Sequence, residues 1–218
     1  MNCAMRSRCL VAAESAFRSE QFFFQTGIEV PFLRPMSVWV NASYRPSSSP
    51  PPEVLVHNRG RLKHERNFIR MLQNLAGPSF PFRIVGQDGR VAPFAEIAGF
   101  HAVVILPYSP ELCMLRHLFK MGMPLFVPGR ALLKQLVHIW NRRLLPYPYH
   151  LPTPESDREA MKELHPYDPF LDTARNPTDV EGMAARAYWT EYSEFLLLPC
   201  LRHFASPADL LLRLHSME

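Results

Sequence analysis

Ala102-Val103-Val104-Ile105-Leu106-Pro107-Tyr108-Ser109-Pro110-Glu111 is the stretch on which the fold turns. Five uncharged apolar residues, three of them β-branched, suit a strand covered on both faces, where every side chain meets another layer. The residues that follow change the pattern. Ser109 is a good N-cap type, Pro110 fits the first helical position, and Glu111 complements the helix dipole. The decapeptide predicts a buried strand, a tight connection and a helix over 110–121.

The same alternation continues on either side. Residues 54–57 are a short apolar run fit for a buried strand. Residues 64–76 are helical, with Phe68, Met71, Leu72 and Leu75 at i, i+3, i+4 and i+7. A second strand over 82–85 ends at Gly86 and the Asp88-Gly89 turn signal. A short helix over 93–99, a fourth strand over 125–127 and a helix over 131–140 complete the series. Strands alternating with helices give an α/β fold: a doubly wound, parallel, Rossmann-like sheet with right-handed crossovers. Its ligand site is expected outside the carboxyl ends of the strands. Two further helices follow. One runs to about residue 198 and stops at Pro199; the other starts at Ser206-Pro207 and turns Leu210, Leu211 and Leu214 to one side.

The punctuation is set by 22 prolines against 9 glycines. Ser47-Ser48-Ser49-Pro50-Pro51-Pro52 reads as a stiff linker. Residues 1–45 then form an appendage or the remnant of a preceding domain, with a helix near 12–24 and an extended stretch over 28–40. Residues 46–52 are the linker, 53–145 the Rossmann-like domain, 146–180 a proline-rich excursion, and 181–218 the carboxyl-terminal helices packing on the sheet.

Composition excludes several classes. With 218 residues, 47% hydrophobic and 20% charged, the chain has the profile of a globular protein rather than of disorder. Its apolar runs fall far short of the roughly 20 residues a membrane span needs. The basic start is followed by too short an apolar run for a signal peptide, so the expectation is a soluble chain, cytoplasmic by default. The four cysteines (Cys3, Cys9, Cys113 and Cys200) have no metal-like spacing, and no metal is expected. A net charge of +4 does not by itself call for nucleic acid.

Four loops follow the strands. In His57-Asn58-Arg59-Gly60-Arg61-Leu62-Lys63, three cations surround a glycine just ahead of a helix. It is either a solvated basic turn or a phosphate site, where helix-terminal amides and cationic side chains converge. Gly86-Gln87-Asp88-Gly89 reads as a turn. The loop at Ser109 exposes a helix start at the expected crevice, and Pro128-Gly129-Arg130 adds a cation at a strand end. The sequence contains no Gly-x-Ser-x-Gly elbow, His-Glu-x-x-His pair or Walker loop.

Phe119-Lys120-Met121-Gly122-Met123-Pro124-Leu125-Phe126-Val127-Pro128 resembles the helix-to-strand passage of GT-B glycosyltransferases, where a turn of the form x-Met-x-x-Gly-x-Pro leads into an apolar strand. The strand–Pro107-Tyr108-Ser109–helix element, the first strand with its Arg/Lys loop, and Phe82–Gly86 look like the matching parts of that family. Taken in order, 53–140 resembles the family's carboxyl-terminal, nucleotide-sugar-binding half. Residues 26–31, Leu33-Arg34-Pro35 and the tail 189–214 are similar to eukaryotic members.

The resemblance implies that Arg59 or Arg61, with Lys63, holds the donor diphosphate, and that the helix start at Ser109 and Glu111 faces the sugar or the phosphates. Many members carry two carboxylates eight positions apart at this helix. The matching positions here are Ser109 and His117, neither acidic, with Glu111 beside the first. It implies a nucleotide sugar as substrate, no further cofactor, and a glycan, protein or lipid acceptor. About fifty residues precede the sheet, too few for the acceptor-binding half, so the expectation is a fragment or a reduced descendant, with membrane or Golgi association if an amino-terminal part precedes. The catalytic base is not assigned. The functional expectation is the donor-binding half of a glycosyltransferase. The alternative is a non-catalytic nucleotide- or partner-binding module on the same scaffold. A nucleic-acid binder using the basic stretch 59–70 is a third reading.

Overall fold

The computed structural model describes residues 10–35, 37–57, 63–87, 92–107, 111–140 and 183–217. The chain divides into two compact units. One comprises Met1–Pro35, Ser109–Glu111 and Val137–Leu197; the other comprises Met36–Tyr108, Leu112–Leu136 and Leu198–Glu218.

The second unit holds the sheet. Its strands are β1 (Glu53–His57), β2 (Arg83–Gly86), β3 (Ala102–Ile105), β4 (Leu125–Pro128) and β5 (Arg202–Phe204), in the order β2-β1-β3-β4-β5. Every pairing is parallel. The apolar runs that predict strands are therefore buried ones: Val54, Leu55, Val56, all of β3 and all of β4 are closed to solvent. Each such Val, Ile or Phe contributes roughly 1.5–3 kcal/mol by leaving water.

The connecting helices are α2 (Lys63–Ala76), α3 (Phe94–Ile97), α4 (Cys113–Lys120) and α5 (Arg130–Trp140), and α8 (Pro207–His215) follows β5; α1 (Ala16–Thr26), α6 (Met183–Glu191) and α7 (Glu194–Leu197) belong to the other unit in whole or in part. The helix α8 packs on β5 and on α2. Right-handed crossovers put α2 on one face of the sheet and α3, α4 and the start of α5 on the other.

Several expectations need correction. The helical period over 64–76 is right, but the buried stripe is Phe68, Ile69 and Leu72, while Met71 and Leu75 are 39% and 56% exposed. The sheet takes its apolar partners from a stripe one residue round the helix. The helix expected from Pro110 with a Ser109 cap begins instead at Cys113. Leu112 is its N-cap, with φ −125° and ψ 108° and no side-chain cap bond. Leu112 is fully buried, and its extended backbone cannot be part of a helix begun earlier. The tail contains a strand that the helical reading passed over. β5 is three residues long, with Arg202 exposed and Phe204 buried, so it lacks the apolar run of the inner strands. An edge strand needs only one covered face, and charge there discourages pairing with other chains.

The stretch ahead of β1 is tied to the sheet unit. The amides of Tyr44, Arg45 and Ser47 donate to the carbonyls of Met121 (2.7 Å), Ala98 (3.0 Å) and Gly99 (2.8 Å). Tyr44 Oη donates to the His101 carbonyl at 3.1 Å. Burial raises the Tyr44 phenol above its usual range, and Arg202 partly offsets this. These acceptors lie just before β3 and β4, so the segment follows the amino edge of the sheet.

In the first unit, Ser15 caps α1 by accepting from Arg18 N at 3.1 Å, and Gly27 ends it in the left-handed region at φ 67°. The extended stretch after α1 runs parallel to Ala13, whose amide donates to Pro31 and whose carbonyl accepts from Leu33. Phe17 and Trp189 meet edge-on at 5.5 Å and form a core cluster, with Tyr188 and Tyr192 packed against them.

Candidate functional site

The sheet order places a topological switch between β1 and β3. From β1 the chain moves to β2 on one side; from β3 it moves to β4 on the other. In doubly wound sheets the crevice opens at such a point, beyond the carboxyl ends of the two strands. β1 and β3 are direct neighbours, with His57 opposite Ile105. The carboxyl end of β1 therefore lies beside the end of β3, across one inter-strand spacing of about 4.8 Å.

Among the described residues, the polar side chains at this edge are few. Among the described residues, His57 is the only polar side chain at a buried strand position, at 6% exposure. Gln87, directly after β2, is also 6% exposed. Two glycines at strand ends have packing reasons. A Cβ on Gly86 would lie 2.7 Å from Ile69 Cδ1, so the glycine lets α2 lie close to β2. Gly129 donates its amide to the Phe204 carbonyl at 2.8 Å, and a Cβ there would sit 3.4 Å from that oxygen. The close approach that the turn after β4 permits is thus to β5.

Arg59, Arg61 and Ser109 lie outside the described residues. Lys63 is the first residue of α2. Glu111 stands in the first unit, where Arg18 Nε approaches its carboxylate at 2.8 Å and Ser15 Oγ donates to its other oxygen. Its side chain is only 9% exposed, whereas Arg18 is 40% exposed.

His117, in the middle of α4, is bonded through Nδ1 to Ser37 Oγ at 2.9 Å. The rings of Trp39 (5.3 Å) and Phe94 (5.4 Å) stand edge-on to it. Burial, and then the Arg116 guanidinium, holds the imidazole below its ordinary value of 6.5, which favours the neutral ring. Ser37 is 2% exposed and takes φ 49°, a conformation unusual for serine. The Ser–His pair thus fastens the 37–40 turn onto α4. No sequence spacing foretold it, because the partners lie eighty residues apart.

The first unit has a hollow of about 190 Å³ lined by Val11, Ala12, Ala13, Arg18, Gln21, Phe22 and Val30. Gln21 Oε1 accepts from Arg18 Nη1 at 2.7 Å, which fixes the amide and turns Nε2 inward, where it is closed to solvent. Among the described residues there is no group of three or more His, Cys, Asp or Glu able to hold a metal ion, and no helix long and apolar enough to cross a membrane.

Fold and edge geometry together define the sheet unit as a doubly wound α/β protein of the 2-1-3-4-5 strand order. Comparisons with protein-family models, with curated proteins and with solved structures found no match.

Proposed function

We propose that the sheet unit binds a nucleoside diphosphate, as the donor-binding half of a nucleotide-sugar-dependent glycosyltransferase of the GT-B kind. The observation that carries this reading is the pairing of His57 with Ile105. It brings the last residues of β1 and β3 side by side at a switch point, and the basic stretch 58–62 follows the first of them in sequence. Arg59, Arg61 and Lys63 are the side chains proposed for the diphosphate. The first-turn amides of α4, which Leu112 does not cap with a side chain, face developing negative charge without a metal. Ser109, Glu111 and His117 remain the residues that the resemblance assigns to sugar and ribose.

A second reading, nucleotide or partner binding without transfer, draws support from the same positions. Glu111 is engaged by Arg18 and Ser15, and His117 by Ser37. The two groups nearest the family's carboxylate positions thus already serve the chain's own structure.

Titration calorimetry with uridine, guanosine, adenosine and cytidine diphosphates and their sugar conjugates tests the proposal. Binding of at least one, weakened at least fivefold by Lys63→Ala, is the expected result. No heat with any of them, from a folded sample, overturns it. Binding without transfer to any glycan, peptide or lipid acceptor selects the second reading.

A further inference from the structure

We propose that the hollow in the first unit binds a small, neutral, largely apolar molecule that carries one oxygen acceptor, a site independent of the nucleotide reading. Arg18, Gln21 and Phe22 stand at i, i+3 and i+4 on one face of α1 and line the hollow together. The rest of the wall comes from two extended stretches, which the parallel bridge between Ala13 and Phe32 joins. Ser19 Oγ donates to the Val30 carbonyl and so holds the second stretch to the helix. The space is about 190 Å³, more than the roughly 150 Å³ that lets an apolar cavity take up benzene. Ala12 is exposed, and Phe22 and Val30 are half-buried, so the hollow opens to solvent.

The two polar residues set the chemistry of the occupant. Gln21 is 3% exposed. Its Oε1 accepts from Arg18 Nη1 at 2.7 Å, whereas its Nε2 has no hydrogen-bond partner. A buried amide N–H with no acceptor is costly, and an oxygen brought in by a ligand relieves it. The terminal torsion of a glutamine lies in a broad well, which lets Nε2 turn to an acceptor in the hollow while Oε1 keeps its bond to Arg18. The charge of Arg18 is already answered within the chain, by Glu111 at 2.8 Å and Glu14 at 3.9 Å. An anion would compete with Glu111 for the guanidinium and meet the second carboxylate as well. A ketone or amide oxygen accepts from Nε2 without that conflict, and its hydrocarbon part packs on the apolar wall.

Three probes of one size and nearly one shape test this: acetophenone with a carbonyl, isopropylbenzene with no polar atom, and benzoate with a charge. Each is titrated into the ¹⁵N-labelled full chain while its amide resonances are followed. The expected result is shifts centred on residues 11–13, 18–22 and 30. Acetophenone should bind about fivefold more tightly than isopropylbenzene, the worth of one good hydrogen bond, and benzoate should bind most weakly. Gln21→Leu should remove the preference for the ketone and leave isopropylbenzene binding unchanged. Ala12→Phe, at an exposed position, should fill the mouth of the hollow and weaken acetophenone and isopropylbenzene alike. Circular dichroism checks that each variant is folded; if Gln21→Leu does not fold, the order of the three probes and the Ala12→Phe result decide. Shifts elsewhere or none with any probe, a different order of affinity, a ketone preference kept in Gln21→Leu, or binding unaffected by Ala12→Phe overturns the proposal. The nucleotide reading stands or falls separately, on its own titrations.

Discussion

The two units bury their cores by different means. The sheet unit stacks aliphatic side chains in rows: Val54, Val56, Val103, Val104 and Ile105 are all closed to solvent. Among its described residues, the other unit relies on a few large rings. Phe17 meets Trp189 at 5.5 Å, Tyr188 stands at 90° to Trp189, and the Tyr188 hydroxyl donates to Glu20 and lies 3.3 Å from that of Tyr192. Burial, followed by the bond to Glu20, pushes the Tyr188 phenol far above its usual range, so it stays protonated and remains a donor. An aliphatic row spreads its stabilisation over many contacts, each replaceable. A ring cluster with polar tips concentrates it in few residues, whose bonds must also be kept.

Truncation should expose this difference most sharply. Trp189→Ala is expected to cost about 3–5 kcal/mol, against about 0.5–1.5 kcal/mol for Ile105→Val in the sheet. Urea denaturation followed by circular dichroism measures both. Equal, small losses would show that the ring cluster does not organise its unit.

A smaller effect concerns the seam where the 37–40 turn meets α4. Ser37→Ala removes the partner of His117 Nδ1 and should cost about 1 kcal/mol. The same seam gives a pH dependence. The folded chain holds the imidazole below 6.5, so the unfolded chain binds the proton more readily. Stability from this group is complete above 6.5 and is lost as pH falls through 6.5 toward the lower folded value. Between pH 7.5 and 5.5 the urea midpoint should drop, and His117→Phe should flatten that slope. An identical slope in the variant would remove His117 as its source.

The smallest effect is expected at Gly122, in the turn between α4 and β4. Its φ is +75° and nothing lies within 4 Å of an added Cβ, so Gly122→Ala carries a backbone penalty alone, about 1 kcal/mol or less. A larger loss would mean that the turn packs more tightly than its open surroundings indicate.

The sheet was legible because a strand covered on both faces needs an uninterrupted apolar run, and 54–56, 102–106 and 125–127 are such runs. β5 was not, because a three-residue edge strand needs only Phe204 inward; the turn at Cys200, with φ 61°, and the Ser206-Pro207 cap bracket it. The start of α4 misled for a related reason. Ser-Pro-Glu is a good local cap, but Leu112 is buried in extended form and Glu111 bonds to Arg18 and Ser15, contacts that span about ninety residues and leave no local trace. At the candidate site, the basic loop could be read from composition. That the carboxyl ends of β1 and β3 adjoin, with His57 and Gln87 buried at one edge, emerges only from strand order.

The central claim is that the carboxyl edge between β1 and β3 receives a diphosphate. Titrating the ¹⁵N-labelled chain with a nucleoside diphosphate while following its amide resonances tests this most directly. The expected shifts are saturable and confined to residues 57–63, 87 and 106–114. Shifts centred on the hollow lined by Val11, Gln21 and Val30, or none at all, would contradict it.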